Sequence, residues 1–450
     1  MLQVTLDDVL AQVRALLEQG DLASAVALIE SLRAPDQADL FSELDTAEQT
    51  ALLPQLDPGD SADILEEMAD EDAARLIDNL ALDDLARIVD AMEPDEAADL
   101  LAELQEAQVD TILSQLEDPN EVRPLLVHPQ DSAGGLMTSS HLVLRRRMTV
   151  ADALDAIRTL KPDSEEIYQL FIVDQHGKLS GEISFRQLVM AQPTAMLKDV
   201  MDQEVISVPV GVDQEQVARL VARYDLLALP VVADDGSLVG VITVDDVIDV
   251  LVQEATEDIQ RLGASEPLDK PYLETTALTV FRKRIGWLLL LFITETLTGT
   301  VLRQFEEELA TVVSLAFFIP LLIGTGGNAG SQTTSTIIRA LALGEMDKKK
   351  VFKPLWHELQ VGLLLGLGMG VVAYGRALLW HTGPGVALTV AAAIFVIVVW
   401  ANVLGSVLPL LAHKLKIDPT VVSGPAMTTL VDATGLFIYF TVAGIVLSLK

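Results

Sequence analysis

The sequence predicts a multi-domain, mainly α-helical integral membrane protein. Its expected order is an acidic helical repeat domain, two α/β units, a connecting helix and five transmembrane helices. Three observations support this fold class. Nearly all of the net charge of −36 lies before residue 264, apolar residues recur every 12 positions near the N-terminus, and the C-terminal region contains five long apolar segments. We therefore expect a soluble N-terminal half joined to a membrane-embedded C-terminal half.

The two halves differ sharply in charge. Residues 1–263 contain 16 Lys and Arg against 54 Asp and Glu, a net of −38, whereas residues 264–450 contain 14 against 12, a net of +2. Carboxylates at this density repel one another unless cations lie among them, which favours a divalent metal partner over nucleic acid or anionic lipid. The absence of Cys, with only six His, disfavours Zn and Cu(I) sites. No basic segment precedes an apolar run at the N-terminus, so no signal peptide is expected.

Residues 1–130 are predicted to form an acidic α-helical superhelix. Because 12 is not a multiple of 3.6, one continuous helix would smear the repeating apolar stripes, whereas short helices of about two turns keep them aligned. Asp45 with Glu48, Asp57-Pro58 and Glu93-Pro94 are helix-start signals. The recurring acids fit either metal binding or simple helix capping. The apolar registers are Leu32, Leu44, Leu56, Met68, Leu80, Met92, Leu104, Leu116 and Ile29, Phe41, Leu53, Leu65, Ile77, Val89, Leu101, Leu113.

Two similar α/β units follow, at 131–200 and 201–258. Each contains a helix and then two strands joined by a turn, at Gly177 in the first copy and Gly236 in the second. This pattern resembles a tandem pair of CBS domains, which are regulatory modules.

A connecting, plug-like helix is predicted at 244–266, overlapping the end of the second unit, and a transmembrane domain at 280–450. Its five spans, at about 284–304, 311–341, 355–380, 386–412 and 420–448, can each cross a hydrocarbon core of about 30 Å. Basic residues cluster before span one (282–284), after span two (348–350 and 353) and after span four (414 and 416). The positive-inside rule then places the N-terminal domains in the cytosol and the C-terminus outside, across the plasma (inner) membrane.

Polar residues within the spans indicate an ion path. Asp432 lies about 18 Å along a helix from residue 420, near mid-membrane. An ionised carboxylate there costs roughly 2.5–3.5 kcal/mol, so it should face water or a cation, unless it is a protonated structural Asp. The Gly-rich stretch 324–332, with Asn328, is predicted to interrupt span two and line a cavity; close packing of small residues is the alternative. Asn402 and Asp418 are further candidates for the path.

The domain order and two membrane motifs, at 318–332 and at 417–425 with 428–435, resemble the MgtE family of magnesium transporters and channels over essentially the whole chain. The resemblance implies a homodimer around a pore lined mainly by spans two and five, with Asp432 as the central ion-binding residue. It also implies regulatory Mg²⁺ between the cytosolic elements in the closed state. The regulatory ligands would be Asp245, Asp246, Asp249, Glu254, Glu257 and Asp258, with Asp90, Asp95, Asp213, Glu215 and Asp225 as neighbours.

The chemistry of Mg²⁺ agrees with this interpretation. The ion prefers oxygen ligands and gives up water reluctantly, so one Asp per chain, doubled by a two-fold axis, could hold it without trapping it. High cytosolic Mg²⁺ would favour a compact, closed arrangement, and loss of Mg²⁺ would let the carboxylates repel and open the path.

Thr243 and Asp246 in the second copy are similar to the hydroxyl and acid with which CBS pairs hold adenosine nucleotides, so ATP is a second candidate ligand. The first copy lacks that acid at 181–187, and the role of Glu295 within span one stays open.

Other functions remain to be distinguished. A broader divalent transporter for Co²⁺ or Mn²⁺ would use the same oxygen ligands. An intramembrane aspartyl protease would need two carboxylates sharing a proton, and the spans offer one deep Asp. A CBS-regulated anion channel would need basic residues inside the spans, which are almost absent. No enzymatic activity is expected.

Overall fold

The computed structural model describes residues 6–162, 167–268, 272–273, 275–342, 345–346, 352–422 and 424–448. The chain divides into two compact units, Met1–Gln253 and Glu254–Lys450, and each has a hydrophobic core of its own. Lys348, Lys349 and Lys350, which contribute to the predicted orientation, and the terminal Lys450 lie outside the described residues.

Short helices run in series through the N-terminal part of the first unit. They are α1 (Leu6–Glu18), α2 (Leu22–Ile29), α3 (Ala34–Ser42), α4 (Thr46–Leu52), α5 (Pro58–Glu67), α6 (Asp70–Ile77), α7 (Leu82–Val89), α8 (Pro94–Ala102), α9 (Glu106–Leu113) and α10 (Pro119–Val122). The register that begins at Ile29 and ends at Leu113 is no more than 3% exposed at any of its positions. Burying each such side chain contributes roughly 1.5–3 kcal/mol. The 12-residue period therefore marks the core of the superhelix, which confirms the predicted repeat fold.

The predicted helix starts are present. Asp45 accepts a hydrogen bond from the Glu48 N–H at 2.9 Å, while Glu48 accepts from the Asp45 N–H at 3.0 Å. Pro58 and Pro94 occupy the first position of α5 and α8, where a missing N–H costs nothing.

A second capping device, which the sequence did not reveal, links turns of the superhelix. The carboxylates of Glu30, Glu66 and Asp90 each accept a hydrogen bond from a backbone N–H 27 residues further along, at 3.1, 3.0 and 2.7 Å respectively. Since these acids are separated by multiples of 12, the same contact recurs with the repeat. Part of the phased acidity therefore holds the superhelix together.

The two α/β units share one topology. The helices are α11 (Val150–Leu160), α12 (Phe185–Met190), α13 (Leu197–Val200) and α14 (Gln214–Tyr224), and the strands are β1 (Val143–Arg145), β2 (Gln169–Val173), β3 (Leu179–Ser184), β4 (Val208–Pro209), β5 (Ala228–Val232) and β6 (Leu238–Thr243). In each sheet the first strand is parallel to the second, which is antiparallel to the third. Gly177 and Gly236 turn the hairpins at φ +80° and +85°, as predicted. The sequence did not indicate β1 and β4 because strands of three and two residues are too short to show alternation.

The connecting helix α15 (Val244–Leu262) follows β6 directly. Its residues up to Gln253 belong to the first unit, and those from Glu254 belong to the second.

The second unit contains α16 (Ala277–Gln304), α17 (Glu306–Thr311), α18 (Ile319–Ala342), α19 (Phe352–Leu379), α20 (Pro384–Lys414) and α21 (Gly424–Leu447). Within the described residues, five segments are long and apolar enough to cross a membrane: α16, α18 with the 3₁₀ turn before it, α19, α20 and α21. The predicted number of spans is confirmed. Residue 420 lies in a 3₁₀ turn (Pro419–Val421) and α21 begins at Gly424, so Asp432 is about 12 Å along the helix, not about 18 Å.

The predicted interruption of span two is wrong. α18 runs without a break through the Gly-rich stretch, because the glycines are contact points between helices. A Cβ on Gly326 would lie 2.5 Å from Ile397 of α20 and 2.8 Å from Val431 of α21. A Cβ on Gly330 would lie 2.7 Å from Met427. The alternative given above, close packing of small residues, is therefore the correct one.

Candidate ion-binding sites

An acidic cleft lies inside the first unit, with a cavity volume of about 590 Å³. None of the described residues that line it is basic, and nine carry carboxylates. These are Glu66, Glu67, Asp95, Glu96, Asp99, Glu103, Asp131, Asp246 and Asp249. We call this set the acidic cleft.

Three helices supply most of the acidic cleft. The C-terminal end of α5 brings Glu66 and Glu67, α8 brings the acids between Asp95 and Asp99, and the first half of α15 brings Asp246 and Asp249. Segments far apart in sequence thus bring carboxylates to one cavity, although among the described residues no three of them lie close enough together to hold one ion as they stand.

The pKa values of several carboxyls in the acidic cleft are raised, because burial and neighbouring like charges both disfavour ionisation. Burial, together with the nearby Asp246 and Glu96, raises the pKa of Asp95 well above its ordinary value. Burial and the neighbouring Glu66 and Asp99 raise the pKa of Glu96 to about 8. Burial raises the pKa of Asp246 to about 6, although hydrogen bonds from Thr243 partly oppose the shift. Without a cation, the cleft can hold these carboxylates ionised only at a cost.

Asp95 gives independent support for a ligand in the cleft. Its side chain is only 4% exposed, and its Oδ1 atom is buried without a hydrogen-bond partner among the described residues. A buried acceptor left in this state costs about 1–3 kcal/mol. A divalent cation brought to this atom would satisfy it and neutralise its neighbours, and oxygen is the ligand atom that Mg²⁺ prefers.

The structure brings some of the predicted regulatory residues together and separates others. Asp95, Asp246 and Asp249 meet in the acidic cleft, whereas Asp245 is on α15 but does not line the cavity. Asp90 does not line it either, since its carboxylate caps the repeat as described above.

The predicted residues of α14 also lie outside the lining of the cleft. Asp213 caps the N-terminus of the helix by accepting from the Glu215 N–H at 3.0 Å, and Glu215 forms an ion pair with Arg219. Asp225 caps the other end in a left-handed conformation, with φ +53°. Their positions are explained by helix capping and pairing.

Six of the nine cleft acids were not predicted from the sequence as site residues. These are Glu66, Glu67, Glu96, Asp99, Glu103 and Asp131. Glu96 is one of the acids that recur every 12 residues, after Asp36, Glu48, Asp60, Asp72 and Asp84. Nothing in that period distinguishes a cleft acid from a capping acid.

Thr243 and Asp246, the candidate nucleotide-binding residues, form hydrogen bonds with each other. The Thr243 hydroxyl donates to Asp246 Oδ2 at 2.6 Å, and the Thr243 N–H donates to the same atom at 3.2 Å. Asp246 therefore serves both the start of α15 and the acidic cleft.

The second half of α15 carries Glu254, Glu257 and Asp258, which do not line the cleft. Glu257 pairs with Arg261, and Arg261 Nη1 also donates to Asp418 Oδ2 at 2.5 Å. Glu254 and Asp258 each take part in interactions of their own.

Asp418 is engaged on two sides. In addition to Arg261, it accepts a hydrogen bond from the Thr420 N–H at 2.8 Å, which caps the 3₁₀ turn before α21. Burial would raise the pKa of Asp418, but the hydrogen bonds from Thr420 and Arg261 outweigh it and hold the pKa below its ordinary value. The residue thus connects the end of α15 to the start of the fifth span.

Asp432 is the acid of α21, and no basic residue lies in that helix. Its side chain is partly buried, and Glu295 of α16 is close enough to interact with it electrostatically. Among the described residues, none forms a hydrogen bond or ion pair with the Asp432 carboxyl. The carboxyl is therefore available to a ligand.

The two asparagines differ. Asn328 on α18 is exposed, beside the glycines that pack on α20 and α21. Asn402 on α20 is 1% exposed; its Nδ2 donates to the Val398 carbonyl at 2.8 Å and its Oδ1 accepts from Thr333 at 2.8 Å. Both ends of the Asn402 amide are therefore engaged in hydrogen bonds within the membrane unit.

Comparison with known families and proteins gives a consistent result. The family described as divalent cation transporter, MgtE, matches residues 319–442, the MgtE intracellular N domain matches 11–131, and the CBS domain matches 197–253. The magnesium transporter MgtE of Thermus thermophilus is 42% identical over 327 residues, which cover 73% of this chain and 72% of the relative. The magnesium transporter MgtE of Bacillus subtilis is 36% identical over 322 residues, covering 72% and 71%.

The first unit also resembles a solved structure. The cytosolic domain of the Mg²⁺ channel MgtE in complex with ATP is 34% identical, covers 54% of this chain and 99% of its own length, and superposes with a TM-score of 0.51.

Proposed function

We propose, since this chain belongs to the MgtE family, that it carries Mg²⁺ across a membrane and that Mg²⁺ bound in the acidic cleft regulates the transport. The observation that carries this proposal is Asp432, a carboxylate in a transmembrane helix that contains no basic residue. Such a residue is costly unless it faces water or a cation. The named activity of the relatives supports Mg²⁺ as that cation.

The path itself would be formed by a homodimer. A two-fold axis would bring two copies of Asp432 together, and the exposed Asn328 of α18 is the other candidate for contact with the ion or its waters. Two carboxylates can attract a hydrated Mg²⁺ and still release it, because they do not replace its whole water shell. Cross-linking of the full chain in a membrane, with the mass of the product, tests the dimer.

Uptake by proteoliposomes tests the transport function. Asp432→Asn keeps the shape of the side chain and removes its charge, so Mg²⁺ uptake should fall to background. Glu307→Gln in α17 is the matched control, because Glu307 is exposed and lies outside the five spans. Uptake by Asp432→Asn at the parent rate would contradict the pore assignment.

Competition between ions distinguishes Mg²⁺ transport from broader divalent transport. Mn²⁺ and Co²⁺ share the oxygen ligands and octahedral preference of Mg²⁺. We expect Mg²⁺ uptake to persist when equal Mn²⁺, Co²⁺ or Ca²⁺ is present. Equal uptake of all four ions would favour the broader function.

Regulation would begin in the acidic cleft. Carboxylates of α5, α8 and α15 bind Mg²⁺ when it is abundant in the cytosol and are held together; when it is scarce, they repel one another. α15 starts at the cleft and ends near Arg261, which holds Asp418 just before the fifth span. A movement at the acidic cleft can therefore be transmitted along α15 to the start of α21, the helix that carries Asp432.

Flux measured against internal Mg²⁺ tests the sensor. Asp246→Asn with Asp249→Asn should leave uptake at low Mg²⁺ intact and raise the Mg²⁺ concentration needed for inhibition. Asp225→Asn is the control, since Asp225 is exposed and does not line the cleft. If the double variant were inhibited at the same Mg²⁺ concentration as the parent, the cleft would not be the sensor.

ATP binding is a second proposal, supported by the ATP complex of the similar cytosolic domain. Thr243 and Asp246 are the candidates for contact with the nucleotide. Calorimetric titration of the chain with ATP should give binding that Thr243→Val weakens, and identical titrations of the two proteins would contradict this assignment.

The orientation and domain limits are part of the same proposal. Cytosolic N-terminal domains and an external C-terminus would place the acidic cleft on the side where Mg²⁺ accumulates. The proposed limits are 1–130, 131–200, 201–258, 244–266 and 280–450. Labelling of single cysteines introduced at residues 110 and 446, from either side of the membrane, tests the orientation.

A further inference from the structure

Another carboxyl group lies inside the spans, on α16. Glu295 is exposed within the first span, and the sequence of α16 from residue 285 to residue 302 contains no basic residue that could neutralise it. α21, which packs on α16, contains no basic residue either. A carboxyl group at membrane depth needs water or a cation beside it. The contacts between α16 and α21 show what Glu295 lies beside.

Ring contacts fix the position of α16 along α21. Phe305, at the C-terminal end of α16, stacks on Phe440 with ring centroids 5.0 Å apart and meets Phe437 edge-on at 6.0 Å. The first and fifth of five consecutive spans cross the membrane in the same direction, so depth can be counted back from this contact. Glu295 lies about 15 Å before Phe305, and the Asp432 position lies about 12 Å before Phe440. The two carboxyl groups are therefore at nearly the same depth.

The two carboxyl groups also interact with each other. Glu295 is the charged group that acts electrostatically on Asp432. Two carboxylates without a basic residue between them repel each other. A divalent cation between them replaces this repulsion with attraction, and each carboxylate attracts it twice as strongly as it attracts a monovalent ion.

Thr298 gives independent evidence for a ligand between α16 and α21. It is 7% exposed, and its Oγ1 atom is buried without a hydrogen-bond partner among the described residues. The nearest threonines of α16 instead donate their hydroxyls to backbone carbonyls one turn earlier, namely Thr294, Thr296 and Thr300. Thr298 is two turns from Phe305, so both lie on the face of α16 that packs on α21. The unpartnered oxygen therefore lies between the two helices.

We propose that Glu295 and Thr298 of α16 form, with Asp432 of α21, an oxygen site that holds a hydrated divalent cation in the path. Thr298 lies one turn beyond Glu295, so α16 offers a carboxylate and a hydroxyl to the ion while α21 offers a second carboxylate. Two carboxylates in each chain favour an ion of charge two, which makes Glu295 a residue that determines specificity. This inference rests on the proposed transport of Mg²⁺ and adds two residues to its path.

Uptake kinetics of the full chain in proteoliposomes test the charge of Glu295. Glu295→Gln keeps the size of the side chain and removes the charge, so the KM for Mg²⁺ should rise about tenfold while the maximal rate stays within about twofold of the parent. The ratio of Na⁺ uptake to Mg²⁺ uptake should rise by a similar factor. Glu295→Asp retains the charge and should keep the KM within about threefold of the parent. Glu307→Gln, which neutralises an exposed glutamate outside the spans, is the control.

Thr298→Val tests the hydroxyl separately. Val has the shape of Thr without the oxygen, so the KM for Mg²⁺ should rise about two- to threefold. The thermal midpoint in detergent should not fall, because a buried hydroxyl without a partner does not stabilise the fold. Thr298→Ser should behave as the parent. Thr300→Val is the matched control, since the Thr300 hydroxyl already donates to the Thr296 carbonyl at 2.8 Å.

The outcomes separate this inference from the proposed function. If Glu295→Gln kept the parent KM and the parent ratio of Na⁺ to Mg²⁺ uptake while Asp432→Asn lost uptake, this site alone would be overturned. A KM in Glu295→Asp as high as in Glu295→Gln would show that shape and not charge matters, and would also overturn it. Equal KM values in Thr298→Val and Thr300→Val would remove Thr298 from the site. Uptake by Asp432→Asn at the parent rate would overturn both the pore assignment and this site.

Discussion

Neutralising Asp246 should stabilise the protein in the absence of Mg²⁺. Burial raises the pKa of this carboxyl from 3.8 to about 6, so the folded state resists its ionisation. At pH 7 the group is ionised in both states, and a shift of about two units at 1.36 kcal/mol each costs on the order of 3 kcal/mol. Asn retains an oxygen that accepts from Thr243, so the start of α15 is preserved while the cost is removed.

The direction of the pKa shift determines how the destabilisation by Asp246 depends on pH. Because the folded pKa is the higher one, this destabilisation is absent below about pH 4, grows as pH rises towards 6, and is complete at pH 7. Asp246→Asn should therefore slow local opening by about 100-fold at pH 7, about tenfold at pH 5 and hardly at all at pH 4.

Peptide-resolved hydrogen exchange of the full chain in detergent, with EDTA, measures this effect in α15 and the second α/β unit. Each comparison is made between variant and parent at the same pH. Saturating Mg²⁺ should protect the parent more than the variant and narrow the difference. Asp225→Asn is the control and should match the parent. Exchange in Asp246→Asn that is as fast as in the parent at pH 7, without Mg²⁺, would refute the electrostatic account of the cleft.

Two further predictions concern the membrane unit. Arg261→Gln and Asp418→Asn should each raise the Mg²⁺ concentration for half-inhibition by about two- to fivefold, since a half-exposed ion pair is worth about 0.5–1 kcal/mol. The double variant should show no further rise. Additive effects of the two substitutions would show that the pair does not transmit the signal. Gly326→Ala should cost about 1–3 kcal/mol and lower the thermal midpoint by several degrees, because its Cβ would clash with Ile397. Gly324→Ala is the matched control, since no atom lies within 4 Å of its added Cβ, and equal midpoints for the two variants would argue against the packing.

Much of the architecture could be predicted from the sequence because it is periodic. The 12-residue repeat, the paired α/β units, α15 and the number of membrane helices all follow from local patterns. Asp432 stood out for a similar reason, since a carboxylate in an apolar run needs an explanation.

The acidic cleft could not be predicted in detail. Asp90 and Asp95 are both aspartates of the repeat region and lie only five residues apart, yet one caps a backbone N–H and the other is buried in the cavity. The contribution of α5 depends on how the superhelix folds against α15, which no local pattern encodes.

Glycines and buried acids in the spans were ambiguous for a related reason. A glycine does not reveal whether it opens a helix or lets another approach, and only the neighbours of Gly326 decide the matter. Glu358 lies near the start of span three, a position typical of residues at the membrane surface. Only the packing of α18 and α20 around it shows that it is buried.

The size of the acidic cleft has a consequence for the speed and selectivity of the response. A Mg²⁺ ion with six waters occupies roughly 180 Å³, since each water takes about 30 Å³. The cavity of about 590 Å³ can therefore hold more than one ion with its waters in place. An ion that exchanges only some of its waters for carboxylate oxygens keeps most of its hydration shell, so we expect exchange with the cytosol to be fast compared with domain movement. An ion held partly through its waters is also distinguished less sharply by its radius, so we expect other divalent ions that reach the cytosol to bind in the cleft as well.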